Sequence, residues 1–231
     1  MNVVELWRYP VKSAQGNRVD CVEIDERGVV GDRRWAVRDI ATGNVLTGRR
    51  VAEMLFAVGG DGELTLPSGI TTSDNRLVSQ WLGRDVELVS SADCGPNTYE
   101  TPIDPLDGEH EWASWQGPAG SFVDSTRTAV SLISSSSMRT WDHRRFRMNI
   151  VLDEPDDVAL IGCRVRLGTA VLDVVKAVER CVMVTRPQPG LDRELDVLKT
   201  VNGEHGGNLG IGAIVVEPGA VHVGDTIEVL G

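Results

Sequence analysis

Short stretches of alternating apolar and polar residues, separated by closely spaced turn residues, most constrain the fold of this 231-residue chain. Such alternation is typical of half-buried strands, and frequent Gly, Pro, Asn and Asp between the stretches indicate turns. The pattern predicts strands over residues 3–7, 19–24, 34–38, 63–66, 86–89, 128–133, 149–152, 163–167, 170–176, 212–216 and 226–230. The fold class is therefore predicted to be mainly β, with a few short helices.

Helical spacing of apolar residues occurs in two segments, residues 75–82 and residues 190–200. In the first segment, Leu77, Val78, Trp81 and Leu82 fall on one side of a helix. In the second, Leu195 and Leu198 follow Leu191 by four and seven residues, which is about one and two helical turns. The serines at 134–137 predict one more helix N-terminus, because serine side chains cap helices.

Regular periodicity breaks down over residues 90–125, where Pro, Gly, Asp and Trp follow one another without a repeat. Large aromatic side chains such as Trp112, Trp115 and Phe122 are costly to leave in water, so this region is predicted to be ordered. We predict a small barrel-like domain over residues 1–90, an ordered connecting loop over residues 91–125, and a second β domain over residues 126–231.

Charge and hydropathy exclude several classes of partner. The net charge of −11 argues against a general nucleic-acid binder, because the phosphate backbone would be repelled at most approaches. The chain has no run of about eighteen apolar residues and no signal-peptide pattern after Met1, so no membrane association is expected. A cytoplasmic protein is predicted.

Cysteine and histidine spacing does not predict a zinc site or a disulfide framework. The four cysteines include no Cys-x-x-Cys pair, and reduced thiols are expected. The histidines also lack the mutual spacing of metal ligands. We predict core, loop or surface roles for Cys21, Cys94, Cys163, His110, His143, His205 and His222.

The fourth cysteine, Cys181, has a different setting. It follows Arg180 directly and lies downstream of Arg147 in the stretch Arg145-Phe146-Arg147-Met148-Asn149. Cations stabilise a thiolate, and a thiolate suits a soft or high-valent metal. Cationic residues within an acidic chain also suit a pocket for a small anion. The sequence therefore predicts an anion and metal site around Cys181.

Several motifs together resemble the MOSC superfamily, named after the molybdenum cofactor sulfurase C-terminal domain, with its N-terminal β-barrel companion. The branch that they resemble most contains the amidoxime-reducing component and its bacterial relatives. The motifs are Tyr9-Pro10-Val11-Lys12-Ser13, Gly31-Asp32-Arg33-Arg34-Trp35, Thr47-Gly48-Arg49-Arg50, the two stretches around Arg147 and Cys181, and Glu217-Pro218-Gly219 to Gly224-Asp225. The resemblance implies two β-barrel domains.

The resemblance also implies a cofactor, molybdenum held by molybdopterin, which carries a phosphate and a polar pterin edge. Cys181 matches the cysteine that ligates molybdenum in the family, and this makes it the implied catalytic residue. Lys12, Ser13, Arg33 and Arg147 match positions that contact the phosphate and the pterin. Asn208, in the glycine-rich loop over residues 203–210, is a further candidate for cofactor contact.

The chain departs from the family pattern in two places. Val184-Thr185-Arg186-Pro187-Gln188-Pro189 replaces the usual Thr-Thr-Val-Asp-Pro, and Arg186 adds a cation there. Gly212-Ala213 stands where many members have a tyrosine or another large side chain. We expect a wider or differently selective substrate pocket.

The implied function is that of an oxidoreductase that reduces small N-hydroxylated or N-oxide substrates. Because the chain has no flavin, haem or iron–sulfur motif, electrons would come from a separate redox protein, of the ferredoxin or flavin reductase type. Arginine-rich faces around Arg34, Arg144 and Arg145 are the expected docking surfaces. Two alternatives remain: a carrier that stores the cofactor or moves sulfur as a Cys181 persulfide, and an interaction module without activity.

Overall fold

The computed structural model describes residues 1–103, 111–153 and 157–230. Its strands are β1 (Val3–Arg8), β2 (Asn17–Val19), β3 (Cys21–Asp25), β4 (Gly28–Val29), β5 (Trp35–Asp39), β6 (Val58–Gly59), β7 (Leu64–Thr65), β8 (Thr71–Thr72), β9 (Val86–Ser90), β10 (Thr98–Pro102), β11 (Trp112–Gln116), β12 (Val130–Ser134), β13 (Ile150–Leu152), β14 (Arg164–Leu167), β15 (Ala170–Glu179), β16 (Asn208–Glu217), β17 (Gly219–His222) and β18 (Ile227–Leu230). The α-helices are α1 (Asn75–Leu82) and α2 (Leu195–His205). Short 3₁₀ helices are Ala52–Phe56, Thr126–Thr128, His143–Arg145, Val158–Leu160 and Val182–Thr185.

The largest sheet has eight strands in the order β18-β14-β15-β16-β12-β13-β1-β2. Its neighbouring strands are antiparallel except for the parallel pair β12 and β13. Because β1 pairs with β13, with Leu6 opposite Ile150, the segment that follows β1 lies next to the residues that precede β13. This pairing brings the Lys12 and Arg147 motifs together.

Smaller sheets surround this one: β17-β3-β4, β5-β9, β6-β7-β8 and the hairpin β10-β11. One apolar core lies on the large sheet and includes Leu6, Leu132 and Ile150. A second core lies beneath α1 and includes Val11, Leu46, Met54 and Val78. A third packs α2 through Leu198 and Val201 against Phe146 and Val184.

The predicted fold class is confirmed, since the chain is mostly β with a curled large sheet and two α-helices among the described residues. The large sheet takes strands from both the first 90 residues and the last 106, so the two regions share its pairing. The domain boundaries at residues 90 and 125 stay a prediction. The predicted structural role of His110 lies outside the described residues.

The helix predicted over residues 75–82 is confirmed as α1. It begins after Asp74, whose carboxylate accepts a hydrogen bond from the Arg76 amide at 2.9 Å. It ends at Gly83, which takes the left-handed conformation with φ 65°. Local sequence therefore defines both ends of this helix.

The second predicted helix begins later than residue 190. The Gln188 amide donates to the Leu191 carbonyl at 2.9 Å, and the Leu191 amide donates to the Gln188 carbonyl at 2.8 Å. These two hydrogen bonds hold the segment in a tight non-helical turn. Arg145 also donates to the Asp192 carbonyl at 2.9 Å, so the helix α2 begins only at Leu195. Its end at Gly206 is again left-handed.

Two further local predictions are corrected. Ser134 ends β12 and the serines at 135–137 form a turn instead of a helix N-terminus, because the amides of Ser134 and Ser135 bond to Asp157 and to the Leu152 carbonyl. The described part of the predicted connecting loop over residues 91–125 contains the paired strands β10 and β11, which the sequence pattern did not predict. No helix in the described ranges has both the length and the apolar character needed to span a membrane.

Candidate functional site

A cavity of 460 Å³ lies where the segment after β1, the residues before β13 and the end of β15 meet. The large sheet positions two of these segments through the pairs β1-β13 and β15-β16. The chain between residues 120 and 131 and the hairpin β10-β11 complete the lining. The cavity is therefore built from segments that are far apart in sequence.

Most of the predicted site residues line this cavity. Lys12, Ser13, Arg33, Arg147 and Cys181 all belong to the lining. Asn208 does not; it opens β16, and its side-chain amide donates to the Gly206 carbonyl at 3.1 Å. The structure thus brings the two motifs near the N-terminus to the Arg147 and Cys181 motifs, and their roles toward a ligand stay predictions.

Three of these residues have strained backbones. Ser13, Arg33 and Arg147 adopt φ values of 66°, 48° and 55°. In the described residues the other non-glycine residue with positive φ is Arg139, which does not line the cavity. A left-handed conformation costs a non-glycine residue about 1–3 kcal/mol, and such residues cluster at functional sites. Hydrogen bonds stabilise these backbone conformations. For example, the Arg33 amide donates to the Tyr9 carbonyl at 2.7 Å.

A row of charged groups leads from Lys12 to Cys181. The Lys12 ammonium donates to Asp124 at 2.7 Å and to the Phe122 carbonyl at 2.8 Å. The Arg49 guanidinium donates to the other Asp124 oxygen at 3.0 Å and to the Cys181 sulfur, Nε to Sγ, at 3.3 Å. This row fixes the position of the Arg49 guanidinium beside the Cys181 thiol.

Burial and neighbouring charges shift the pKa values in this row. Burial, with Arg49 nearby, lowers the pKa of Lys12 to about 8 despite the attraction of Asp124. Burial opposes the charge of Asp124, but Lys12 and Arg49 hold the pKa of that carboxyl well below its usual range. The Asp124 side chain is 51% exposed to the cavity, so solvent screens these pairs in part.

The buried Arg147 and the half-buried Arg180 line the cavity, and neither forms an ion pair with an acidic side chain of the described residues. Arg147 donates to the Ala14 carbonyl and lies 4.5 Å over the Tyr9 ring. Arg180 donates to the carbonyls of Phe146 and Leu209. Burial lowers the pKa of each guanidinium to about 10. An uncompensated buried charge is costly, and an anion in the cavity would offset that cost.

The lining is cationic although the chain is acidic. Its charged residues are Lys12, Arg33, Arg49, Arg145, Arg147, Lys176 and Arg180 against Asp124 and Glu179. Arg33 is paired, since it forms an ion pair with Asp32 and donates to the Arg147 carbonyl at 2.9 Å. The Thr47 hydroxyl is buried in the lining without a hydrogen-bond partner. The cavity can accept an anion that also has polar edges.

Sequence reasoning missed Arg49, Asp124 and Arg180 as site residues. Arg49 belongs to a recognised motif, but the sequence does not reveal which of Arg49 and Arg50 faces the thiol. Asp124 follows an irregular segment and carries no pattern of its own. Arg180 was noted only as a neighbour of Cys181, and its contact with the Leu209 carbonyl depends on strand pairing.

The structure places three further residues that the sequence singled out. Arg145 does not present a docking face; it is buried, donates to the Asp192 carbonyl, and pairs with Glu194 at 3.2 Å. Arg186 adds no cation to the cavity lining, because its guanidinium donates to the Arg49 carbonyl at 2.8 Å.

The third concerns Gly212, which does not widen the cavity. A Cβ built there would lie 2.1 Å from the Thr128 methyl group, so Thr128 fills the space of a larger side chain.

The remaining thiols lie outside the cavity lining. Cys21 is exposed on β3, while Cys94 and Cys163 are half-buried. All four cysteines are free thiols, as predicted. The described residues also contain no group of three or more His, Cys, Asp or Glu placed to hold a metal ion.

Fold and site together define a mostly β protein with a cationic cavity around one thiol. Two family models match this chain: the MOSC domain over residues 120–228 and the MOSC N-terminal beta barrel domain over residues 1–61. The chain therefore contains a MOSC domain and a MOSC N-terminal beta barrel domain, and MOSC domains are associated with molybdenum cofactor binding.

A solved structure with 15% sequence identity supports the same fold. The YuaD protein from Bacillus subtilis is 15% identical, with 99% of this chain and 94% of that chain covered and a TM-score of 0.52. YiiM from Geobacillus stearothermophilus is 16% identical, covering 52% of this chain and 67% of its own, with a TM-score of 0.37. A hypothetical protein is 11% identical, and the match covers 100% of this chain and 68% of that chain with a TM-score of 0.46. No curated protein matches the chain.

Proposed function

We propose that the cavity binds a molybdenum cofactor and that the protein is a reductase of small N-hydroxylated or N-oxide compounds. The observation that carries this proposal is the convergence of one half-buried thiol, Cys181, with the Arg147 and Arg180 guanidinium groups, which bond to carbonyls and form no ion pair among the described residues. The branch of the family and the substrate class are the more specific parts of the proposal. They rest on the motif resemblance described above.

The residues in the lining fit the chemistry of a pterin-bound metal with a phosphate tail. A thiolate suits the metal, and guanidinium and ammonium groups suit the phosphate. The unpartnered Thr47 hydroxyl and the strained Ser13 backbone suit a ligand with polar edges. The volume of 460 Å³ lies within the usual range for small-molecule sites.

Each residue has a distinct role in this proposal. Cys181 would hold the metal, while Lys12, Ser13, Arg33 and Arg147 would hold the phosphate and the pterin. Arg49 would orient the Cys181 sulfur through its contact at 3.3 Å. When bound, the cofactor supplies a metal that changes oxidation state and takes an oxygen atom from the substrate. Electrons would come from a separate ferredoxin or flavin reductase.

Metal content tests the binding part of this proposal. After expression in a host that makes the cofactor, we expect the wild-type protein to contain molybdenum and Cys181→Ala to retain less than about a tenth of it. Cys163→Ala is the matched control, because Cys163 is half-buried but lies outside the cavity lining. Equal molybdenum in the Cys181 variant and the control would refute the role of Cys181.

Turnover tests the reductase part. Molybdenum-loaded protein, supplied with reduced viologen, should convert benzamidoxime to benzamidine, and Cys181→Ala should not. The second candidate is a carrier or sulfur-transfer protein, which the contact between Arg49 and the Cys181 thiol also supports because it favours a reactive sulfur. Loaded protein that reduces no N-hydroxylated compound but passes its cofactor to an apoenzyme would favour the carrier.

A further inference from the structure

The hairpin β10-β11 supplies part of the cavity wall from a segment that neither family model matches. The models match residues 1–61 and 120–228, and the two strands, Thr98–Pro102 and Trp112–Gln116, lie between them in sequence. Thr101 and Trp115 of this hairpin line the cavity. The wall that they form is therefore an addition to the parts of the site built from the matched domains.

Packing beneath the hairpin holds the Trp115 ring in place. Trp115 lies opposite Tyr99 in the strand pairing, and their ring centroids are 4.7 Å apart with an angle of 31° between the planes. Tyr99 is fully buried, and the Lys12 ammonium lies 4.6 Å from the centre of its ring. A Cβ on Gly117 would meet the Tyr99 ring at 2.1 Å, so glycine there leaves room for it. The indole is thus supported by the core on one side.

Trp115 also differs from the rest of the lining in chemistry. The other aromatic residue in the described lining is Phe146, which is buried in the core around α2 and is only 3% exposed. Trp115 is half-buried, so part of its ring surface remains open. Most of the remaining wall is charged or polar. The cavity therefore has one supported, flat and apolar surface.

We propose that the hairpin β10-β11 forms the substrate-facing wall of the cavity and that Trp115 selects planar aromatic substrates by stacking. This inference rests on the proposed function, because it assigns the substrate class for the same site. Aromatic rings prefer offset-stacked or edge-to-face contact with an indole, whereas a small aliphatic group gains little from it. The substrate class is therefore an N-hydroxylated group attached to an aromatic ring.

Binding to the molybdenum-loaded protein tests the inference without depending on turnover. The probes are benzamidoxime, which has a ring, and acetamidoxime, which carries the same amidoxime group on a methyl. Trp115→Leu keeps apolar bulk against Tyr99 but removes the flat ring, and Trp115→Phe keeps a ring. Trp112→Leu is the matched control, because Trp112 lies on the same strand but outside the cavity lining.

In isothermal titration, Trp115→Leu should bind benzamidoxime about tenfold more weakly than the wild type and acetamidoxime within about twofold. Trp115→Phe should stay within about threefold for both probes, and Trp112→Leu should match the wild type. All variants should keep wild-type molybdenum content. Equal weakening of both probes in Trp115→Leu, or unchanged benzamidoxime binding, would overturn the inference.

The two proposals fail in different ways. A loss of molybdenum in Trp115→Leu but not in Trp112→Leu would assign Trp115 to the cofactor and overturn its role toward the substrate. Loaded protein that binds benzamidoxime through Trp115 but never reduces it would sink the reductase proposal and leave the inference standing. If loaded wild type and loaded Trp115→Leu reduce both amidoximes equally well, the reductase proposal stands and the inference about Trp115 fails.

Discussion

Replacing Arg147 by methionine tests whether this arginine binds a ligand or only supports the fold. Arg147 is 9% exposed, and burial, together with the nearby Arg33, lowers its pKa from 12.5 to about 10. This difference corresponds to a cost of about 3 kcal/mol for keeping the guanidinium charged in the protein without ligand. Methionine has similar length and carries no charge, so the substitution removes this cost.

The same substitution also removes favourable contacts. Arg147 donates to the Ala14 carbonyl and contacts the Tyr9 ring, and together these contribute about 2–3 kcal/mol. The two effects nearly cancel. We therefore expect the free energy of unfolding of Arg147→Met, without ligand, to stay within about 1 kcal/mol of the wild type.

Anion binding should change far more. A charge-assisted hydrogen bond contributes about 1.5–3 kcal/mol, so sulfate should bind Arg147→Met roughly 10 to 100 times more weakly. Titration calorimetry with sulfate at constant ionic strength measures this, and urea unfolding measures stability. Arg166→Met is the control, because Arg166 is an exposed residue of β14 that pairs with Glu228 of β18. Loss of more than about 3 kcal/mol of stability with unchanged sulfate affinity would refute the reasoning.

Four further predictions concern three residues. The pKa of Lys12 is about 8 in the folded protein and 10.5 when unperturbed, so sulfate should bind about tenfold more weakly at pH 9.5 than at pH 7. Lys12→Met should lose this pH dependence, and sulfate titrations at both pH values measure it. Because folding disfavours the Lys12 ammonium, its contribution to stability should rise as pH increases from about 8 to about 10.5. Gly212→Ala should destabilise the protein by about 1–3 kcal/mol in urea unfolding through collision with the Thr128 methyl, and adding Thr128→Ser should restore part of the loss. Arg139→Gly should stabilise by about 1 kcal/mol at φ 54° and leave sulfate affinity unchanged; a loss of affinity would contradict our view that this strained residue lies outside the site.

Local chemistry in the sequence determined much of the fold. The ends of α1 follow from the Asp74 cap and the left-handed Gly83, both readable from neighbouring residues. The strands β1, β5, β9 and β14 follow from short apolar alternation. These elements are predictable because their stabilising contacts begin within the segment itself.

The residue types of the candidate site were also present in the sequence as motifs. Lys12, Arg33, Arg147 and Cys181 were selected from motifs, and the structure places all four in one cavity lining. Asn208 was selected on weaker grounds, from its glycine-rich loop, and its side chain instead contacts Gly206. A motif identifies residue types at a spacing, but a loop does not reveal which way a side chain points.

Only the tertiary structure decided which groups touch. Arg49 and the Cys181 sulfur are 132 positions apart in sequence, and Lys12 and Asp124 are 112 apart. The hairpin β10-β11 was missed because its strands lie in an irregular segment and are supported by Tyr99 packing on Trp115. The late start of α2 depends on the contact between Arg145 and Asp192. Sequence patterns report the chain's local preferences, whereas these contacts depend on which strands, distant in sequence, lie next to each other in the sheets.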